Sequence, residues 1–259
     1  MDLEKIASSI LNDMENKIRY SSLPEDLLLK PEDRLTGYKV QDILIKKMES
    51  KSGLVSGWKV ALTNKEMQRI NNVDEPVEGA ILSSRIQDSE GFIDTKDFLN
   101  LGVEGEIGVR IGKDITLETL EDINKVYSSI DSVMAALEIV DDRKGGSDIS
   151  LSMLAAQNSL NRGIVIGKEY SINRLDLKEI EGILMIDKKI VGKGTGKNVL
   201  EDPINVIIWL AKSLVNRGRL LKEGDIVLTG SLSITVWPTS GQSVELETSS
   251  IGKASVKIG

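Results

Sequence analysis

The chain changes its apolar period at Leu54, and that switch constrains its architecture more than any other feature. Upstream, Leu3, Ile6, Ile10, Leu11, Met14 and Ile18 fall on one face of a helix covering residues 1 to about 20. A loop carrying Pro24 and Pro31 follows, then a second amphipathic helix from about Thr36 to Lys51, closed by Gly53. Downstream, short apolar runs alternate with turn residues: 54–63, 79–86, 102–112, 135–141, 162–167, 182–194, 224–238 and 242–259 all read as strands. Two helices are expected between them, one over 119–134 and one over 202–218. The latter has Asp202 before Pro203 at its start and Gly218 at its stop. Helices first and strands after imply an α+β fold with a mixed or mainly antiparallel sheet. The expected division is a helical N-terminal lobe over 1–56 and a strand-rich catalytic body over 57–259.

Composition removes several functions. At 259 residues and 40% hydrophobic content, the chain can bury one large core or two modest ones. A net charge of −7 argues against nucleic acid or an anionic membrane as a partner. There is no cysteine, which suits a reducing cytosol and excludes thiolate chemistry. An acid at position 2 and the lack of a long apolar run argue against a signal peptide, so a cytoplasmic protein is expected. No apolar stretch is long enough to span a bilayer. There is also no histidine, which removes Ser-His-Asp catalysis and every imidazole metal site. Any metal must be held by oxygens, which points to Mg²⁺, Mn²⁺ or Ca²⁺.

The run from Val103 to Gly112 places Glu104 and Glu106 on the same face of one strand, because side chains alternate. Two adjacent like charges repel, and no cation lies between them. Glu138 sits between Leu137 and Ile139 in a run that should be buried, where an isolated carboxylate is costly. A divalent cation shared by Glu104, Glu106 and Glu138 removes both difficulties. The competing reading makes the strand an edge with both glutamates in water. A paired-carboxylate glycosidase fits less well, because i,i+2 carboxylates are too close to flank a sugar.

Other segments carry weaker signals. Lys59, between Trp58 and Val60, either binds an acidic substrate with a perturbed pKa or snorkels. The glycine-rich stretch from Val191 to Asn198 lacks the spacing of a phosphate loop and reads mainly as a turn. At Thr229–Leu232, Gly230 and Ser231 offer donors to an anion or form a bulge.

Taken together, the stretches 57–63, 73–82, 103–115, 136–143, 202–232 and 251–259 resemble the fumarylacetoacetate hydrolase superfamily. Within it they look most like the 2-keto-4-pentenoate hydratase and 4-oxalocrotonate decarboxylase branch. The Glu-x-Glu pair followed by the glutamate of an "LEIVD"-like strand is the specific part. The resemblance implies the family's C-terminal-type β body and a Mg²⁺ or Mn²⁺ held by Glu104, Glu106 and Glu138. It implies that Lys59 contacts the substrate or moves a proton, and that Leu62, Gly230 and Ser231 lie at the substrate. The implied substrates are short 2-hydroxydienoates or 2-oxo-enoates from the meta-cleavage of aromatic compounds. The implied reaction is hydration, with decarboxylation the alternative and C–C or β-diketone hydrolysis a further one. Homo-oligomers, and association of a decarboxylase with a hydratase, are implied in the same way.

The sequence departs from that pattern in places. Val77 stands where many hydratases have an aspartate, and an apolar wall there leans toward decarboxylation. Gln157 replaces a usual aspartate beside a retained Asn158. Glu201-Asp202-Pro203 stands for Gly-His-Pro.

Overall fold

The computed structural model describes residues 2–19, 29–30, 33–70, 73–143, 150–173 and 175–259. The expected proline loop therefore lies largely outside the described residues. Helix α1 (Leu3–Glu15) starts on an Asp2 cap and is shorter than its apolar stripe suggests. Helix α2 (Arg34–Ser52) is capped by Asp33 and stops at Gly53, whose φ of 74° requires a residue without a side chain. The two helices pack through Ile6, Ile10, Met14, Val40 and Leu44.

The rest is strand-rich, as the switch at Leu54 implies. Strands β1 (Val55–Ala61) and β2 (Val77–Leu82) flank helix α3 (Lys65–Ile70). Short strands β3 (Ile86–Asp88) and β4 (Gly91–Ile93) lead to the long strand β5 (Leu101–Ile111). Helix α4 (Ile123–Ser128) precedes β6 (Ile130–Asp141), and helix α5 (Leu151–Ala156) precedes β7 (Asn161–Ile166). Then come β8 (Tyr170–Ser171), β9 (Glu181–Ile186), β10 (Lys189–Thr195), helix α6 (Pro203–Asn216), β11 (Ile226–Ser231), β12 (Ser243–Thr248) and β13 (Lys253–Ile258). The molecule is α+β, with N-terminal helices followed by mixed sheets.

One sheet runs β2-β1-β11-β5-β6-β7-β3, with β8 beside β6, and the other runs β10-β9-β12-β13-β4. Most pairings are antiparallel, but β1–β11, β3–β7 and β4–β13 are parallel. The large sheet curls until β2 meets β7. Its inner face carries Ile81, Met134, Ala136, Ile164 and Leu228. Its outer face packs Val109, Val133 and Val227 against Ile207 and Leu210 of α6. Between the two sheets, Val103 and Leu137 meet Leu184, Leu246 and Val256.

Three expectations need correction. The helix expected over 119–134 is only a 3-10 turn and the six-residue α4. Residues 130–134 instead begin β6, because β5 offers a partner along its whole length, from Leu101 opposite Asp141 to Ile111 opposite Ile130. Helices α3 and α5 were not foreseen, since six residues are too few to show a helical period. The stretch from Val191 is not mainly a turn but the body of β10. Gly194 admits the Leu232 backbone, since a Cβ there would lie 1.7 Å from the Leu232 carbonyl oxygen, and Gly192 makes room for the Ser233 side chain.

Candidate active site

Strand β5 is interior, bonded to β6 on one side and β11 on the other. The reading of an edge strand with both glutamates in water therefore fails. Glu104 stands directly opposite Glu138 across the β5–β6 ladder, and Glu106 opposite Ala136. The inner face thus brings the three carboxylates together, and one oxygen from each lies within 4.8 Å of the others. Glu106 and Glu138 are buried and Glu104 is half-buried.

Lys59 reaches the same place from β1, which sits beside β11 with Lys59 opposite Leu228. Its ammonium lies 3.1 Å from Glu138 Oε2 and donates to Ser159 Oγ at 3.3 Å. Lys59 is buried, so it does not snorkel to water. Three carboxylates against one ammonium leave two negative charges unmatched within this group, the charge of one divalent cation. Burial, then repulsion from Glu138 and Glu104, push the Glu106 carboxyl well above its usual range. Burial also raises Glu138, against the pull of Lys59. Burial opposes the charge on Lys59, but Glu138, Glu104 and Glu106 outweigh it and hold its pKa above the usual lysine value. Glu138 Oε2 faces the Lys59 ammonium alone, since Asn161 serves Oε1. An all-oxygen donor set and unmatched negative charge both fit a hard divalent ion.

Neighbouring residues aim the carboxylates. Asn161 Nδ2 donates to Glu138 Oε1 at 2.9 Å, and Thr235 Oγ1 donates to Glu104 Oε1. The Gly230 amide donates to Glu106 Oε2 at 2.6 Å. That bond accompanies a bulge in β11 between Leu228 and Ser231, as one of the two readings of this turn expects. The anion it serves is a glutamate of this chain.

A cavity of about 670 Å³ opens onto Lys59 and Glu104, within the size range of small-molecule sites. Lys59, Leu62 and Ser231 line it, whereas Gly230 is not part of the lining. Ser231 spends its hydroxyl proton on the Ser233 carbonyl. Ser159 also lines the cavity, from a turn in which Asn158, Ser159 and Leu160 all have positive φ. Such conformations cost roughly 1–2 kcal/mol per residue, and here Asn158 clasps both backbone groups of Ala80 at 2.7 and 2.9 Å. Sequence reasoning missed Ser159, Asn161 and Thr235. Only the retained Asn158 marked that neighbourhood.

The departures also resolve. Val77 does not itself face the cavity; it packs with Tyr38, Leu154 and Ala155 beneath Leu62 and Leu160. Glu78 points the opposite way, onto Ser213 Oγ, Arg217 and the Tyr38 hydroxyl, so it brings no carboxylate to the cavity. Gln157 accepts from Arg143 Nη2 at 2.5 Å.

Residues 63–258 match the family model for the fumarylacetoacetate (FAA) hydrolase C-terminal domain. The chain is 28% identical over 226 residues to 2-keto-4-pentenoate hydratase 1 of Dechloromonas aromatica (strain RCB), covering 86% of this chain and 85% of that protein. It is 30% identical over 203 residues to 2-keto-4-pentenoate hydratase of Burkholderia vietnamiensis (strain G4 / LMG 22486), covering 77% and 76%. Its fold matches that of 4-oxalocrotonate decarboxylase from Pseudomonas putida G7, solved with magnesium and adipate. That match has a TM-score of 0.91 at 21% identity and covers 99% of this chain and 97% of that one.

Proposed function

The chain belongs to the fumarylacetoacetate hydrolase family, and we propose that it is a divalent-metal-dependent lyase hydrating a short 2-hydroxydienoate or 2-oxo-enoate. The observation that carries this reading is the group of Glu104, Glu106 and Glu138 with Lys59 at the head of the cavity. Glu104, Glu106 and Glu138 would hold the ion. Bound Mg²⁺ or Mn²⁺ supplies Lewis-acid polarisation of the substrate's carboxylate and 2-oxygen.

The rest of the chemistry falls to the chain's own groups. The Lys59 ammonium is placed to hold a substrate carboxylate or to carry a proton between the dienol and the carbon skeleton. Asn161, Thr235 and the Gly230 amide hold the three carboxylates in one arrangement before substrate arrives. Leu62, Leu154 and Leu160 keep bulk water from that side of the reacting carbons.

Decarboxylation is the second reading. The wall of Leu62, Leu154 and Leu160, backed by Val77, supports it. An apolar wall favours loss of neutral CO₂ from a second carboxylate at the far end of the conjugated chain; the electrons of the broken C–C bond pass along that chain into the 2-oxo group, and the carboxylate beside the oxo group is kept. The deciding assay offers a panel of 2-hydroxydienoates, with and without a second carboxylate at the far end, in Mg²⁺ or Mn²⁺ and measures hydroxyketone, CO₂ and hydrolysis products together. Metal-dependent hydroxyketone formation supports the hydratase and CO₂ release supports the decarboxylase. Turnover that survives metal removal overturns both.

A further inference from the structure

The cavity is larger than a short oxo-enoate requires. At about 30 Å³ per water, 670 Å³ accommodates roughly twenty water-sized groups, whereas 2-keto-4-pentenoate has about eight non-hydrogen atoms. Apart from Lys59 and Glu104 the lining is more apolar than polar, with Thr63, Asn64, Asn198 and Ser233 among its polar members. Leu62, Leu154 and Leu160 form one side, and Val191, Ile234 and Trp237 form another. Among the described residues the only other cation in the lining is Lys193, exposed on β10, and the exposed acid Glu66 lines the same cavity.

A second carboxylate carried past the reacting carbons would leave water for hydrocarbon walls and would share the cavity with the exposed acid Glu66. Both effects disfavour it. An alkyl tail in the same place buries apolar surface, worth about threefold to fourfold in affinity per methylene. We propose that this site selects 2-oxo monoacids with an extended apolar tail and discriminates against dicarboxylates. The proposal rests on the hydratase reading above, because the decarboxylase reading requires a dicarboxylate.

Unreactive saturated acids separate binding from chemistry. The full chain with saturating Mg²⁺ is titrated calorimetrically with 2-oxopentanoate, 2-oxohexanoate, 2-oxooctanoate and 2-oxoadipate. The expected order places 2-oxooctanoate at least ~10-fold tighter than 2-oxopentanoate, and 2-oxoadipate at least ~10-fold weaker than 2-oxohexanoate. Equal or tighter binding of 2-oxoadipate, or no gain with chain length, overturns the selectivity and leaves the lyase reading standing. If none of the acids binds, the lyase reading itself falls and the selectivity with it. Ile234 is 61% exposed, so Ile234→Arg adds a cation to the wall without touching the core. It should narrow the preference for 2-oxohexanoate over 2-oxoadipate by at least ~10-fold. An unchanged preference in that variant also counts against the proposal.

Discussion

The Lys59 ammonium sits 3.1 Å from the Glu138 carboxylate, with the two side chains only 3% and 0% exposed. A lysine so enclosed loses solvation that one carboxylate only partly restores, and the surplus of acid around it keeps it charged. The pair therefore presents a fixed cation to the cavity beside a carboxylate that still has unused acceptor capacity.

Removing that cation tests its role. Lys59→Met keeps the apolar stem and loses the ammonium. It should lower turnover by at least ~10²-fold, the usual size of an acid–base contribution, while Mg²⁺ binding persists. Steady-state kinetics and a direct metal titration on the same preparation make the comparison. Near-normal turnover would return Lys59 to a structural part.

Metal dependence tests the carboxylates. Chelation should abolish activity, and Mg²⁺ or Mn²⁺ should restore it better than Zn²⁺. Asn161→Ala leaves all three glutamates in place but frees Glu138 to rotate. A loss of about 10–100-fold in metal affinity is expected from such an outer partner. Full activity in chelated protein sinks the assignment, and unchanged affinity in the variant removes Asn161 from it.

How much of this was legible beforehand follows from periodicity. Period-two alternation was enough to put Glu104 and Glu106 on one face, and the apolar neighbours of Glu138 marked it as buried. The meeting of Glu104 with Glu138 depends on the β5–β6 register, and Lys59 arrives only because β1 runs parallel to β11. Asn161 and Thr235 come from positions with no spacing signal at all. The helix misread over 119–134 fails for a related reason, since tertiary pairing with β5 overrides the local pattern.

Gly230 combines a positive φ of 111° with a close neighbour, because an added Cβ would lie 2.0 Å from Thr63 Oγ1. Gly230→Ala should destabilise the fold by about 1–3 kcal/mol and displace the amide that Glu106 accepts from. Denaturant unfolding measures the first effect and metal affinity the second. An unchanged midpoint together with unchanged affinity contradicts this account of the bulge.

Val77→Asp separates two views of the wall. Because Val77 is sealed against Tyr38, Leu154 and Ala155, the new carboxylate has no charge partner in that cluster. A destabilisation of about 3 kcal/mol or more is expected, with no gain in hydration. Faster hydroxyketone formation at unchanged stability would mean that the side chain reaches the substrate after all.

Between the two glutamates of β5, Gly105 lies against the other sheet, where an added Cβ would sit 2.9 Å from Leu246 Cδ1 and 3.3 Å from Leu184 Cδ1. The strand is thus held at its back by inter-sheet packing and at both sides by neighbouring strands. In the language of native-state motion, the amides of residues 103–108 are expected to exchange among the slowest in the molecule, which hydrogen exchange checks. Releasing them requires parting β5 from β6 or β11, an opening close to global unfolding. The far rim is different: Met67, Ile234 and Trp237 are 47%, 61% and 46% exposed. Breathing of the protein should therefore reshape the mouth through which a ligand passes and leave the spacing of the three carboxylates unchanged.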